Sequence, residues 1–256
     1  MTPPFAEPPT PETSISVIIP LFNAEKYIAE SIHSILQQTL LPQEIIVVDD
    51  GSSDGSVAAI PSDPHITVLR CPHRGISPTI EEGIQAATGE FLAFLDADDR
   101  WLPDKLALQY AALQQDPSLG MVFGAARVFH EPQPDSNIPL PPPSILPKGV
   151  SKSALFIRRS TMKAVGPYAL EGAAHDFLDW YARATDQGVT TLVLPELLYE
   201  RRVHDANDGI TNKERQRRNY FATLRRTLDR RRAGQAFSTE KNAPDQRNGP
   251  QQPPRP

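Results

Sequence analysis

Apolar residues in this chain of 256 residues fall into short blocks separated by polar, turn-rich stretches. Four blocks, Ser14 to Pro20, Glu44 to Val48, Ile66 to Arg70 and Gly89 to Asp96, predict strands. The long apolar runs among them lack polar alternation, which suits strands covered on both faces. Between the blocks, apolar residues recur at helical spacing. Ile28, Ile32, Ile35 and Leu36 mark one helix, for which Asn23 is a suitable N-cap, and Ile76 to Ala87 hold a second that Gly89 ends. The run Asp49 to Ser56 is a turn-rich acidic loop, expected to lead into a short helix. Strands alternating with helices at this spacing predict an α/β fold, with a mostly parallel, Rossmann-like central sheet flanked by helices.

The second half is less regular. Trp101-Leu102-Pro103 leads into a helix carrying Leu106 and Leu113. Strands are expected at Met121 to Phe129, Val150 to Arg158 and Thr190 to Leu194, and a short helix over Met162 to Pro167. Glu131 to Pro147 holds seven prolines in 17 residues, which excludes regular structure there. A lid and a flexible excursion both fit that segment. Asn212 to Arg232 is arginine-rich, with Tyr220, Phe221, Leu224 and Leu228 in an apolar stripe. Packing on its own domain and docking on an anionic membrane surface both suit such a helix.

Composition removes several classes of function. A net charge of −5 argues against general nucleic-acid binding, and Cys71 alone cannot form a disulfide framework. No apolar run approaches a membrane span. Met1 to Thr13 is proline-rich without an apolar core, so it reads as a disordered leader rather than a secretory signal. The expected location is the cytoplasm, or the inner face of the membrane if the helix at 212–232 docks there.

The polar punctuation carries the chemistry. Two expected strands end in acidic clusters, Asp49/Asp50 and Asp96/Asp98/Asp99, and parallel strands bring both to one sheet edge. Ligands of open α/β sheets collect at that edge. Grouped carboxylates there call for a cation, and a hard divalent ion bridging to a substrate phosphate supplies one. Helix capping by Asp98 and Asp99 is the plainer alternative. Neither a Gly-x-Gly-x-x-Gly nor a P-loop pattern occurs.

Three blocks, Ser16-Val-Ile-Ile-Pro-Leu-Phe-Asn-Ala-Glu-Lys-Tyr-Ile28, Val47-Val-Asp-Asp-Gly-Ser-Ser-Asp-Gly-Ser56 and Phe94-Leu-Asp-Ala-Asp-Asp99, resemble the family 2 glycosyltransferases of GT-A fold, in order and at the usual separations. The resemblance covers roughly Ser14 to Asn207. It implies transfer of a sugar from a nucleotide diphosphate donor (a UDP-, GDP- or dTDP-sugar), with Mg²⁺ or Mn²⁺ bound through the Asp-x-Asp motif. Pro20 and Phe22 would line the base pocket, Asp50 would accept a hydrogen bond from the base, and Asn23 and Asp49 belong to the same nucleotide-binding set. Asp96 would face the ribose, while Asp98 and Asp99 reach the metal. Where many members show Ala-Arg-Asn-x-Gly, this chain has Pro78-Thr79-Ile80-Glu81-Glu82-Gly83, so that Arg and Asn are absent.

Two later segments complete the resemblance. In the family a Glu-Asp pair starts a helix and its Asp acts as general base. Here His175 precedes Asp176, and the spacing keeps Asp179 as a second candidate. The competing reading makes Asp176 a helix cap and pairs Asp179 with Arg183 at i,i+4. Family members also carry an Arg-x-His-x-x-Asn segment over the donor diphosphate. That segment points to Arg201 or Arg202 as phosphate clamps and to His204 at metal or phosphate. His33, His65, His73 and His130 read as surface residues. The organisation expected is a leader (1–13), one GT-A domain (14–232) and a disordered tail (233–256). The domain divides into a nucleotide-binding half (14–100), an acceptor half (101–211) and an amphipathic helix (212–232). The function expected is inverting transfer to an unidentified acceptor. A nucleotidyltransferase or a non-catalytic binding module on the same fold is the alternative.

Overall fold

The apolar blocks become the buried centre of a nine-stranded sheet. The computed structural model describes residues 14–131, 141–146, 149–168, 176–204 and 213–241. The expected leader, the end of the tail and most of the proline-rich segment lie outside the described residues. In β1 (Ile15–Leu21) and β4 (Phe91–Phe94) every residue is buried, as unbroken apolar runs require. β1 pairs in parallel with β4 on one side and with β2 (Glu44–Asp49) on the other, and β2 pairs in parallel with β3 (Ile66–Arg70). Helices α1 (Ile28–Leu36) and α2 (Ile76–Ala86) are the crossovers, α1 burying Ile28, Ile32 and Ile35.

The later half mixes directions. It contains the two-residue β5 (Arg100–Trp101), helix α3 (Lys105–Gln115), and strands β6 (Met121–His130), β7 (Ser144–Leu146) and β8 (Phe156–Arg158). Helices α4 (Arg159–Val165) and α5 (Asp176–Asp186), strand β9 (Thr191–Val203) and helix α6 (Lys213–Lys241) follow. β8 joins the halves, running antiparallel to both β4 and β6, and β6 and β9 pair in parallel. β9 runs through Pro195 because the register slips there. Leu194 faces Gly124 and Leu197 faces Ala125, so Pro195 falls in a bulge and withholds nothing from the ladder.

Five expectations change. Regular structure does occur between Glu131 and Pro147: Ser144–Leu146, which carry no proline, form β7 and pair antiparallel with β6. Asn23 does not cap α1, which begins at Ile28. Its backbone is left-handed (φ 49°) and its Oδ1 accepts the Ser53 N–H at 2.9 Å, so the side chain is turned toward the acidic loop. That loop does not continue into a helix, because Asp49 and Asp54 accept the N–H groups of Ser52 and Ser56 and compete with helical bonds. Over Val150 to Arg158 only the last three residues are strand, and Lys152–Ala154 form a 3₁₀ turn. Finally, α6 continues past 232 to Lys241. No proline interrupts it before Pro244, and Gly234 weakens a helix by only about 1 kcal/mol.

α2 approaches the sheet at Gly83, where an added Cβ would lie 2.5 Å from Ile18 Cγ2 and 3.3 Å from Val48 Cγ2. Both neighbours are fully buried and β-branched, with little freedom to yield. Gly83→Val therefore loses about 1–3 kcal/mol of stability by overpacking. Thermal unfolding should show a melting temperature several degrees lower; an unchanged value would mean that α2 can move away from the sheet.

Candidate active site

The parallel register decides where the polar residues go. Leu21 lies opposite Asp49 and Ile18 opposite Phe94, so β1, β2 and β4 all end at one edge. The end of β9 reaches the same edge, with the Arg202 N–H donating to Asp99 Oδ1 at 3.0 Å. Together they enclose a cleft of about 640 Å³. Pro20, Phe22, Asn23, Asp50, Asp96, Asp98, Asp99, Arg201, Arg202 and His204 line it, whereas Asp49 and Asp179 do not.

At one end lies a stacked aromatic pair. The rings of Phe22 and His73 stack with centroids 4.4 Å apart and planes 22° from parallel. His73 is therefore no isolated surface residue: its Nδ1 lies 2.9 Å from Asp50 Oδ2. Asp50 is buried, and its two carboxylate oxygens accept the backbone N–H groups of Arg74 (2.8 Å) and Gly75 (2.9 Å). Gly51 (φ 77°) permits this close return, for a Cβ there would meet the His73 nitrogen at 3.2 Å. Asp49 serves the loop instead, through the Ser52 N–H.

At the other end the three carboxylates after β4 have different surroundings. Asp96 forms an ion pair with Lys152, itself buried, and Ser153 Oγ stands 3.0 Å from Asp96 Oδ2 and 3.1 Å from Asp99 Oδ2. Asp99 is 5% exposed, with both oxygens engaged by Arg202 N–H and Ser153. Burial, with the charges of Asp96 and Asp98 added, pushes its carboxyl well above the usual carboxylate range. Asp98 opens onto the cleft and lies 3.1 Å from His204 Nε2. Burial and the Asp96 charge raise its carboxyl too, and His204 only partly offsets them. Ionisation of both groups thus opposes folding, and the loss grows as pH rises through their folded-state values.

Neighbouring arginines divide their roles by strand alternation. Arg201 is exposed on the cleft. The Arg202 guanidinium is fully engaged: Nε donates to the Asp98 carbonyl at 2.9 Å, and its other nitrogens pair with Glu131 (2.5 Å) and Glu30. Tyr27 closes this corner. Its hydroxyl donates to Glu131 at 2.9 Å, its ring lies 4.6 Å from that of His204, and burial beside Glu131 pushes its pKa up to about 12.

The two candidate bases also part. Asp179 is buried between Arg183 (3.2 Å) and Arg230 (2.8 Å), where it ties α6 to α5. Asp176 opens α5, and its side chain lies outside the described residues. Among the described residues no three His, Cys, Asp or Glu side chains converge on one metal position. Reading the sequence missed Lys152, Tyr27 and His73. Only Lys152 left a local signal, the Ser-Lys-Ser island inside the apolar stretch Gly149 to Ile157.

Known structures share this fold. A mannosyltransferase of Pyrobaculum calidifontis, solved with GDP-Man and Mn²⁺, superposes with a TM-score of 0.65 at 22% identity, covering 88% of this chain and 66% of its own. Staphylococcus aureus TarS 1-349, solved with UDP-GlcNAc, gives 0.58 at 18% identity, covering 76% and 60%. The fold is thus that of GT-A glycosyltransferases. The beta-1,3-glucosyltransferase WfgD of Escherichia coli is 34% identical over 119 residues, 45% of this chain and 47% of that protein. Chondroitin synthase of Pasteurella multocida is 23% identical over 237 residues, 85% of this chain but 23% of that protein. The chain therefore spans less than half the length of these curated relatives. The family description "Glycosyl transferase family 2" matches residues 16–166, more than half of the chain, and the chain belongs to that family.

Proposed function

We propose that the chain transfers a sugar from a nucleotide diphosphate donor to an acceptor hydroxyl, with inversion and with Mg²⁺ or Mn²⁺ on the diphosphate. One observation carries this reading: a single cleft with a stacked aromatic pair beside Asp50 at one end and the Asp98–His204 pair at the other. Two structural neighbours hold donors of this class, GDP-Man and UDP-GlcNAc. In this reading the base lies against the exposed side of the Phe22–His73 pair, with Pro20 and Asp50 at its edge. Asp96, neutralised by Lys152, faces the ribose, and Arg201 serves the phosphates. Arg202 is already bound to carboxylates and keeps the cleft in shape.

The donor set suits a divalent ion. Asp98 opens onto the cleft with the His204 nitrogen beside it, and Mg²⁺ favours one or two carboxylates plus phosphate oxygens. Asp99, with both oxygens engaged, supports the site without joining it. Asp98 and His204 would hold such an ion, which would offset the charge that develops on the leaving diphosphate. Asp176 is the base in this reading, since Asp179 is held by two arginines away from the cleft. It takes the proton of the acceptor hydroxyl as that oxygen bonds to the anomeric carbon. The bond from that carbon to the diphosphate breaks on the opposite face, and its electron pair leaves with the phosphate oxygen.

Asp98→Asn separates metal from fold. It removes one of three mutually repelling carboxylates, so melting without metal stays level or rises. Stabilisation of the parent by Mn²⁺ and donor, about 2.7 kcal/mol at a hundredfold excess over Kd, disappears in the variant. Equal donor-induced shifts in both proteins would exclude Asp98 as a ligand.

Asp176→Asn should lower kcat about 10²–10⁴-fold while leaving donor affinity unchanged. Asp179→Asn should instead lower the melting temperature, because two arginines lose their buried partner. Full turnover in Asp176→Asn would assign the base elsewhere.

Single displacement requires inversion. Proton NMR of the earliest product should show the anomeric configuration opposite to the donor's; retention would rule out the mechanism even with every binding residue correct.

A further inference from the structure

α6 packs on the domain with its polar face and presents its apolar one. Thr223 is buried, and Arg230 and Arg231 donate to Asp179 and Asp186 of α5, each at 2.8 Å. Turned away from Thr223 and Arg230, Tyr220 (48% exposed), Phe221 (56%), Leu224 (42%) and Leu228 (52%) form one stripe over two turns, with Arg231 reaching back from its end. A helix that owed its place to ordinary core packing would be turned the other way. The ion pairs to Asp179 and Asp186 hold it in this orientation.

We propose that this face of α6 seats the protein on the surface of an anionic lipid bilayer. Charge complementarity selects the occupant. Between Lys213 and Arg232 there are nine basic and two acidic residues, in a chain whose net charge is −5. Arg217 and Arg225 lie exposed beside the stripe, and the Arg217 guanidinium sits over the Phe221 ring at 5.8 Å. Aromatic and leucine side chains bordered by arginines match a helix lying in the headgroup region, with the rings in the acyl boundary and the guanidinium groups on lipid phosphates. A second copy of the chain fits poorly, because a two-fold contact would set one row of arginines against its duplicate. Nucleic acid would leave the apolar stripe unused. No helix among the described residues is long and apolar enough to cross a membrane, so α6 lies on the surface.

The test is vesicle flotation of the full chain, with neither donor nor acceptor present, so its outcome is independent of the transferase reading. Vesicles of phosphatidylcholine alone are compared with equal parts phosphatidylcholine and phosphatidylglycerol. The parent should float with the anionic vesicles and bind the neutral ones at least about tenfold more weakly. The double variant Phe221→Ser/Leu224→Ser changes only exposed side chains. It should lose about tenfold or more of the anionic binding at unchanged melting temperature and circular dichroism. Arg217→Gln/Arg225→Gln should weaken binding and reduce its dependence on salt. No flotation of the parent would overturn the proposal, as would binding that the Phe221/Leu224 variant leaves intact. So would a dimer in sedimentation equilibrium that the same variant dissociates, since the stripe would then belong to a second copy.

Discussion

Three like charges must share one corner of this molecule. Asp96, Asp98 and Asp99 follow a fully buried strand, where low polarisability strengthens their repulsion. Each is met by a donor: Lys152 at Asp96, His204 at Asp98 and the Arg202 backbone at Asp99, with Ser153 shared between Asp96 and Asp99. All of these come from the later half of the chain. The acidic corner is therefore also the fastening between the two halves, and the segments that compensate it could not be displaced without exposing its electrostatic cost.

A second set of charges stiffens the back of the same corner. Glu200, nearly buried, pairs with Arg100 and Arg127; Arg100 also reaches Glu30, which meets Arg202. The Phe129 ring lies between two of these cations, 4.7 Å from Arg100 and 4.8 Å from Arg202. Exposed ion pairs contribute little singly. Here the chain of contacts runs through buried members of β9, so loss of one partner strands the next. Strand alternation sets the division of labour: Glu200 and Arg202 join the scaffold, and Arg201 between them is left to the cleft.

Much of this was readable beforehand, and the reasons are local. Unbroken apolar runs announced β1, β2 and β4, helical spacing announced α1 to α3, and parallel strands placed both acidic clusters on one edge. What escaped depends on contacts distant in sequence. Lys152 meets an aspartate fifty-six residues earlier in the chain, and nothing around it in sequence names that partner. His73 gains its role from Phe22 and Asp50, which lie on other elements. Periodicity grouped Tyr220, Phe221, Leu224 and Leu228 on one face of α6. It could not say which way that face looks, because Asp179 and Asp186 on another helix decide it. The i,i+4 pair of Asp179 with Arg183 was legible; the second arginine, Arg230, was not.

The anchoring of Asp50 has a consequence for how the cleft meets its ligand. Two backbone N–H groups fix this buried carboxylate, and the same loop carries the His73 ring onto Phe22. This end of the cleft is held in shape by those contacts, so a ligand lying against it would cost the loop little conformational entropy. Selection at this end would then rest on donors and acceptors already fixed in place rather than on adaptation of the loop.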